Sequence, residues 1–192
     1  MKKSLQNITL PEGNFLAKVI EIEKKDFKVI GYAYDLWRNL DRTLKKIDTR
    51  GVNLHTGISE NAFCYFMPNC VRVTSKIPNA NTSWDCYDLK RKKRIQVKAA
   101  SINPDLSSFG PDSQWDEIYF MDFYKDGKWN GEFDIYYIKN NNWIYDCVVN
   151  KGKEETFLNQ QKQGRRPRFS IMKEIIVPHK VKPIKKCNLK LL

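Results

Sequence analysis

Histidine is nearly absent from this chain: among 192 residues only His55 and His179 occur. That scarcity argues against ββα-metal chemistry, which needs a histidine base beside further ligands. The five cysteines (Cys64, Cys70, Cys86, Cys147, Cys187) are odd in number, scattered and without a C-x-x-C pair. They read as reduced structural thiols, not as a disulfide framework or zinc site. Neither GxxxxGK[ST] nor GxGxxG occurs, which excludes the usual nucleotide cradles, and no GxSxG or Cys–His pairing stands out. No apolar run approaches the ~20 residues that span a bilayer. The opening MKKSLQNITLPEG is basic without an apolar stretch behind it, so it is not a secretory signal. A cytoplasmic location is therefore expected. With no internal repeat or low-complexity linker, residues 1–192 are read as a single domain.

What is present is basic charge and aromatic bulk. Lys and Arg number 34 against 22 Asp and Glu, a net charge of +12, while 41% of residues are hydrophobic and 12% aromatic. The apolar share is enough for a sizeable core. The charge suggests a polyanionic partner, since neutralised phosphates release condensed counterions.

Organisation follows from periodicity. Residues 14–24 and 28–47 are read as helices, the second from Tyr34, Trp37, Leu40, Leu44 and Ile47 at three- or four-residue intervals. Tyr34 and Trp37 are either core or an interface between copies. A short helix is expected in ISENAFCYFM, with Ser59 as cap and Glu60 in its first turn. CVRVTSKI reads as a strand, and a hairpin occupies residues 83–102. WDEIYFMDFY suits a buried strand, 132–138 a further strand, and NNNWIYDCVVN a short strand or helix start. A helix start is expected in TFLNQQKQ, and the tail PHKVKPIKKCNLKLL is read as half ordered. Thus 1–57 are expected to be mainly helical, 58–150 to hold a catalytic sheet, and 151–192 to form a basic segment.

The hairpin SWDCYDLKRKKRIQVKAASI carries the chemistry. Alternation puts Gln96 and Lys98 on one strand face, opposite Ile95, Val97 and Ala99. A lysine on a strand buried on both sides needs an anionic partner. Asp85 lies eleven residues before Gln96 on the other arm, where antiparallel pairing brings its carboxylate to the Gln96–Lys98 edge. A carboxylate, a second oxygen ligand and a lysine can hold Mg²⁺ beside a scissile phosphate, because Mg²⁺ takes oxygen ligands and commonly only one or two carboxylates.

That D-x(10)-Q-V-K spacing resembles the PD-(D/E)xK nuclease signature, with Gln in place of the usual acid. SSFGPDSQWDEIYFMDF, QGRRPRFSI and the upstream RGVNLHTGISENAF resemble a type II restriction endonuclease family, over most of residues 50–172. The resemblance implies an α/β, restriction-endonuclease-like fold: a central mixed β-sheet flanked by helices. It implies Mg²⁺-dependent, site-specific hydrolysis of double-stranded DNA by a homodimer, with a cognate DNA methyltransferase encoded alongside. Carried over, Asp85 is the metal-ligating acid, Gln96 replaces the second acid as ligand, and Lys98 is the catalytic lysine. Glu60 is the candidate to supply the charge that Gln96 lacks, and Asp88 is the alternative to Asp85. The alternative function is a catalytically inactive or non-specific DNA-binding protein, or a repair nuclease of the same fold.

Two basic stretches complete the expectation. Lys90, Arg91, Lys92 and Lys93 form either a solvated turn or a clamp on the DNA backbone. Arg165, Arg166 and Arg168, in a loop stiffened by Pro167, suit phosphate or guanine recognition. Gln160, Gln161 and Gln163 fit either adenine edges or a helix surface. Asp116 and Glu117 are expected to cap or pair at a strand start.

Overall fold

A computed structural model describes residues 1–48 and 51–190. Along the chain run β1 (Lys2–Leu10), β2 (Gly13–Glu21), α1 (Lys24–Leu44), α2 (Thr56–Phe66), β3 (Cys70–Val73), β4 (Cys86–Asp88) and β5 (Lys93–Ala100). There follow β6 (Ser107–Ser108), β7 (Glu117–Asp122), β8 (Glu132–Ile138), α3 (Asn142–Tyr145), β9 (Val148–Asn150) and β10 (Glu155–Thr156). The last are α4 (Phe157–Lys162), β11 (Arg168–Phe169), a π-helical turn at Met172–Ile176, and β12 (Pro183–Asn188).

Eight strands form one mixed sheet in the order β1-β2-β3-β4-β5-β7-β8-β12. Its neighbours are antiparallel except β5 and β7, which run parallel from Ile95↔Glu117 to Ala100↔Asp122. A parallel pair needs a crossover, and residues 101–116 supply it.

The two faces of β5 point into two cores. Ile95 and Val97 join Tyr119, Met121 and Phe123 under α1 and α2, where Phe27, Tyr34, Trp37 and Phe63 pack. Ala100 joins Ile118, Phe120, Phe109, Trp115, Phe157 and Phe169 beneath α3, α4 and the π-helical turn. Each large apolar side chain fully buried there stabilises by about 1.5–3 kcal/mol. A third cluster, with Ile8, Val19, Val71, Trp84 and Tyr87, closes the β1–β4 end.

Three expectations are corrected. Residues 14–24 are not a helix: Gly13–Glu21 is strand β2, paired with β1 around Pro11–Glu12. Its true period is two, with Ala17 and Val19 buried between exposed Leu16 and Lys18. The helical reading of Leu16, Val19 and Ile20 mixed the two faces of the strand. The sheet therefore extends beyond 58–150 on both sides, and 1–57 is half hairpin. Over its described residues the tail is ordered: β12 pairs with β8, and Leu189 packs in the core beside α1, while Leu191 and Leu192 lie outside the described residues. Gly31 permits that approach, since a Cβ there would meet the Leu189 carbonyl oxygen at 2.7 Å. Lastly, Ser59 is not the cap of α2. His55 is, its Nδ1 accepting from the Gly57 N–H at 3.0 Å. Tyr34 and Trp37 prove to be core residues.

Candidate active site

Asp85 is fixed from both sides. The preceding Trp84 is buried, donates its indole N–H to the Asn81 carbonyl at 2.8 Å and lies 5.8 Å from the Tyr87 ring. The Asp85 peptide N–H donates to the Ile95 carbonyl at 3.0 Å, continuing the β4–β5 ladder by one residue. Its carboxylate then accepts from the Val97 N–H at 2.8 Å and from the Gln96 side-chain amide. The hairpin thus joins Asp85 and Gln96 across strands, as the spacing predicts.

Gln96 is 2% exposed, and its Oε1 has no hydrogen-bond partner. A buried carbonyl oxygen without a donor costs about 1–3 kcal/mol, and the fold itself does not offset that cost here. Two residues on, the Lys98 ammonium donates to the Ser108 carbonyl at 2.8 Å and sits 4.6 Å over the Phe109 ring. Glu60, in α2, ion-pairs with Arg72 of β3 at 2.7 Å, while Arg72 also donates to Asn61 Oδ1 at 3.1 Å.

Glu60, Asp85 and Lys98 line one cleft of about 540 Å³ at the carboxyl end of β5, together with Asn53, Ser101 and Arg168. Crevices outside the carboxyl ends of parallel strands are where open α/β sheets bind ligands. Burial, then the neighbouring Asp85 charge, pushes the Glu60 carboxyl up to about 7, against the pull of Arg72. Burial also raises the Asp85 pKa, opposed chiefly by Lys98. The Lys98 pKa is lowered by burial, a shift opposed by Asp85 and reinforced by Arg166.

Other candidates lie elsewhere. Asp88 points into the turn after β4, accepting from the N–H groups of Lys90 and Arg91 and from the Arg91 guanidinium at 2.6 Å. Arg91 also bonds Glu117 at 2.7 Å. Lys90, Arg91, Lys92 and Lys93 sit at the opposite end of β5, Lys93 roughly 16 Å from Lys98 at ~3.3 Å per residue. None of the four lines the cleft. Asp116 bonds the Arg94 backbone and guanidinium, so it pairs at the strand start as expected. Arg165 is held by Glu155 at 2.9 Å. Arg166 and Arg168 are exposed and, among the described residues, make no ion pair. Gln160 bonds Glu155, and Gln161 bonds the Gly110 and Ser113 carbonyls, leaving Gln163 exposed.

Sequence reading missed Arg72, Ser108 and Asp105. Arg72 carried a usable signal, an arginine inside the apolar strand CVRV. Ser108 acts through its backbone, which no side-chain pattern reveals. Asp105 faces the cleft wall but accepts from the Ile171 and Met172 N–H groups and from Ser170 and Ser107, tying the crossover to the π-helical turn.

Two carboxylates and a lysine line the cleft with Arg168, while Gln96 is not part of the lining and lies behind Asp85 as its hydrogen-bond partner. Carboxylates and a lysine of this kind are groups that phosphate-ester hydrolysis uses. A family model described as Bsp6I restriction endonuclease matches residues 22–178. The chain is also 32% identical over 174 residues to the type II restriction enzyme Bsp6I of Bacillus sp. (strain RFL6), covering 89% of this chain and 92% of that one. The chain therefore belongs to the Bsp6I restriction endonuclease family, and it is a type II restriction endonuclease, a site-specific deoxyribonuclease. No solved structure matches it.

Proposed function

We propose that the chain hydrolyses phosphodiester bonds of double-stranded DNA with Mg²⁺, using Asp85, Gln96, Lys98 and Glu60 in a variant PD-(D/E)xK site on a restriction-endonuclease-like sheet. The observation that carries this reading is the unpartnered Gln96 Oε1 beside the Asp85 carboxylate. Asp85 and Gln96 would hold the ion. Among the described residues no three His, Cys, Asp or Glu side chains converge as a metal cage. Mg²⁺ keeps several waters and is commonly held by only one or two carboxylates. When bound, the ion polarises the phosphoryl oxygen as a Lewis acid.

The chain's own residues do the rest. Lys98 spends one of its three N–H donors on the Ser108 carbonyl, which leaves two for an oxygen of the scissile phosphate. The Phe109 ring beneath it holds the stem against sideways motion. Glu60 supplies the negative charge absent from Gln96, held within reach by Arg72. Arg168 lines the cleft where DNA would lie and Arg166 is close enough to act on Lys98, with Lys90, Lys92 and Lys93 as more distant backbone contacts. Asp88, committed to Arg91, is not the first ligand in this reading.

A twofold-symmetric target calls for a homodimer. Support comes from a stripe on the outer side of α1: Val29, Tyr32, Leu36 and Leu40 are each more than half exposed at helical spacing. In an antiparallel pair of α1 helices, Leu36 meets its own copy and Tyr32 meets Leu40. A cognate methyltransferase would protect host DNA; among the described helices none is long and apolar enough to cross a membrane.

The test is digestion of a sequenced, unmethylated phage DNA with Mg²⁺ or EDTA, by wild type and Lys98→Ala. Discrete Mg²⁺-dependent fragments are expected from wild type, reduced roughly a thousandfold in rate in the variant. Undiminished cutting by Lys98→Ala would move the active site elsewhere.

A further inference from the structure

A second cavity, of about 520 Å³, lies beside α1 and is lined by Arg38, Arg42, Lys128, Lys190, Tyr124 and Trp129. Its acid complement is small. Asp35 pairs with Arg38 at 3.1 Å and Lys190 at 3.6 Å. Arg42 and Lys128 are exposed and, among the described residues, make no ion pair. Lys45 adds another cation, 4.2 Å over the Trp129 ring, although it also pairs with Asp41. Like charges held this close repel, so a basic cavity left unpaired asks for an anion.

Three hydrogen bonds, one from the cavity wall and two from α1, reach the segments that line the catalytic cleft. The Trp129 indole N–H donates at 2.8 Å to the carbonyl of Ser101, a residue of the cleft lining. On α1, Trp37 donates to the Val52 carbonyl at 2.8 Å, and Asp41 accepts from the Val52 N–H at 2.7 Å. That fixes the segment leading directly into Asn53 and Leu54 of the same lining. Trp129, a wall of the cavity, thus contacts the cleft lining at Ser101, which sets the cavity next to the cleft.

We propose that Arg42 and Lys128 bind DNA backbone phosphates that flank the cut site, so that the duplex is gripped on both sides of the scissile bond. The inference rests on the reading of the cleft as the site that holds DNA. Trp129 acts as the wall that spaces the cations, and Arg38 is positioned by Asp35 and by its 3.1 Å bond to the Trp129 carbonyl. These contacts carry no sequence information; they add affinity and register.

The experiment compares wild type, Arg42→Ala/Lys128→Ala and a charge-matched control, Lys3→Ala/Lys18→Ala, whose exposed residues lie on the β1–β2 hairpin. Binding to a duplex carrying the cut site is measured in Ca²⁺ across a salt series, and cleavage in Mg²⁺ at saturating enzyme. The α1–loop variant is expected to bind about tenfold more weakly or worse at 0.1 M salt. Its log–log salt slope should be shallower by about 2, near 0.9 per lost phosphate contact. Its single-turnover cleavage rate at saturation should be unchanged. The deficit should vanish on a duplex trimmed until its flanks no longer reach the cavity. An unchanged salt slope, or an equal loss in the hairpin control, would overturn the proposal. Failure of wild type to cut at all, with Lys98→Ala indistinguishable from it, would instead overturn the reading of the cleft.

Discussion

Replacing Glu60 with glutamine tests the electrostatics of the site without DNA. The carboxyl is buried and pushed from 4.5 up to about 7, first by burial and then by Asp85. At about 1.4 kcal/mol per pH unit, that shift corresponds to about 3 kcal/mol. The unfolded glutamate titrates near 4.5 and the folded one near 7, so between those values the native state holds more protons than the unfolded one. Stability from this group is fully present below pH 4.5 and is lost as pH rises through about 7. Glutamine never ionises and has no such loss.

Urea denaturation of wild type and Glu60→Gln in EDTA, from pH 4.5 to 8.5, gives the difference directly. Glu60→Gln should gain on wild type by about 3 kcal/mol over that range, or roughly 6–12 °C in melting temperature for a chain of this size. Arg72 pairs with the ionised carboxylate, so its attraction is already contained in the Glu60 pKa of about 7 and is not a separate cost. The loss of the neutral carboxyl's hydrogen bonds is what displaces the difference curve without changing its slope. A difference flat to within about 1 kcal/mol from pH 5 to 8 would refute the argument that Glu60 is held against its preference for ionisation.

Two further outcomes follow from the packing. Asp105→Ala removes the acceptor of the Ile171 and Met172 N–H groups and of two hydroxyls; a loss of about 2–4 kcal/mol is expected in chemical denaturation, and a loss under 1 kcal/mol would show that the crossover and the π-helical turn hold each other by other means. In the proposed α1 dimer, Leu36→Glu would place two charges against each other at the centre, so sedimentation should shift from dimer to monomer at micromolar concentration while the melting temperature stays within a few degrees; an unchanged sedimentation coefficient would overturn the α1 pairing.

The central sheet was legible where one physical rule dominated. Residues 132–138 form β8 as expected, and the apolar run at 117–122 is β7, buried between two cores. In the hairpin, pairing and alternation together placed Asp85 against Gln96, because the side-chain period of a strand leaves no freedom once the register is set. The N-terminal hairpin was missed because β2 is an exposed strand near the sheet edge. Its outward Leu16 mimics a helical face, and only the burial of Ala17 and Val19 separates the two periods. The tail was missed because β12 is an edge strand rich in lysine, a composition that protects sheet edges from pairing further and also resembles a disordered end. Local pattern cannot distinguish those two states; the distant partner, β8, does.

Gln96 is where local chemistry and site chemistry diverge. As a residue of a buried strand it is a poor choice, since its carbonyl oxygen finds no donor in the fold. Replacing it by an apolar residue would remove the orphan, and replacing it by an acid would set a third carboxylate beside Asp85 and Glu60. With glutamine, the site keeps two acids, one of them neutralised by Arg72, against the Lys98 ammonium. A third acid would raise the charge that must be buried before any cation or phosphate arrives, at a cost that grows as the surroundings become less polar. The amide instead offers an oxygen without adding charge. The negative charge sits on α2, outside the hairpin, where Arg72 can hold it. On the proposed reading, the site thus remains foldable without an ion, with its second acid carried by a helix instead of the strand.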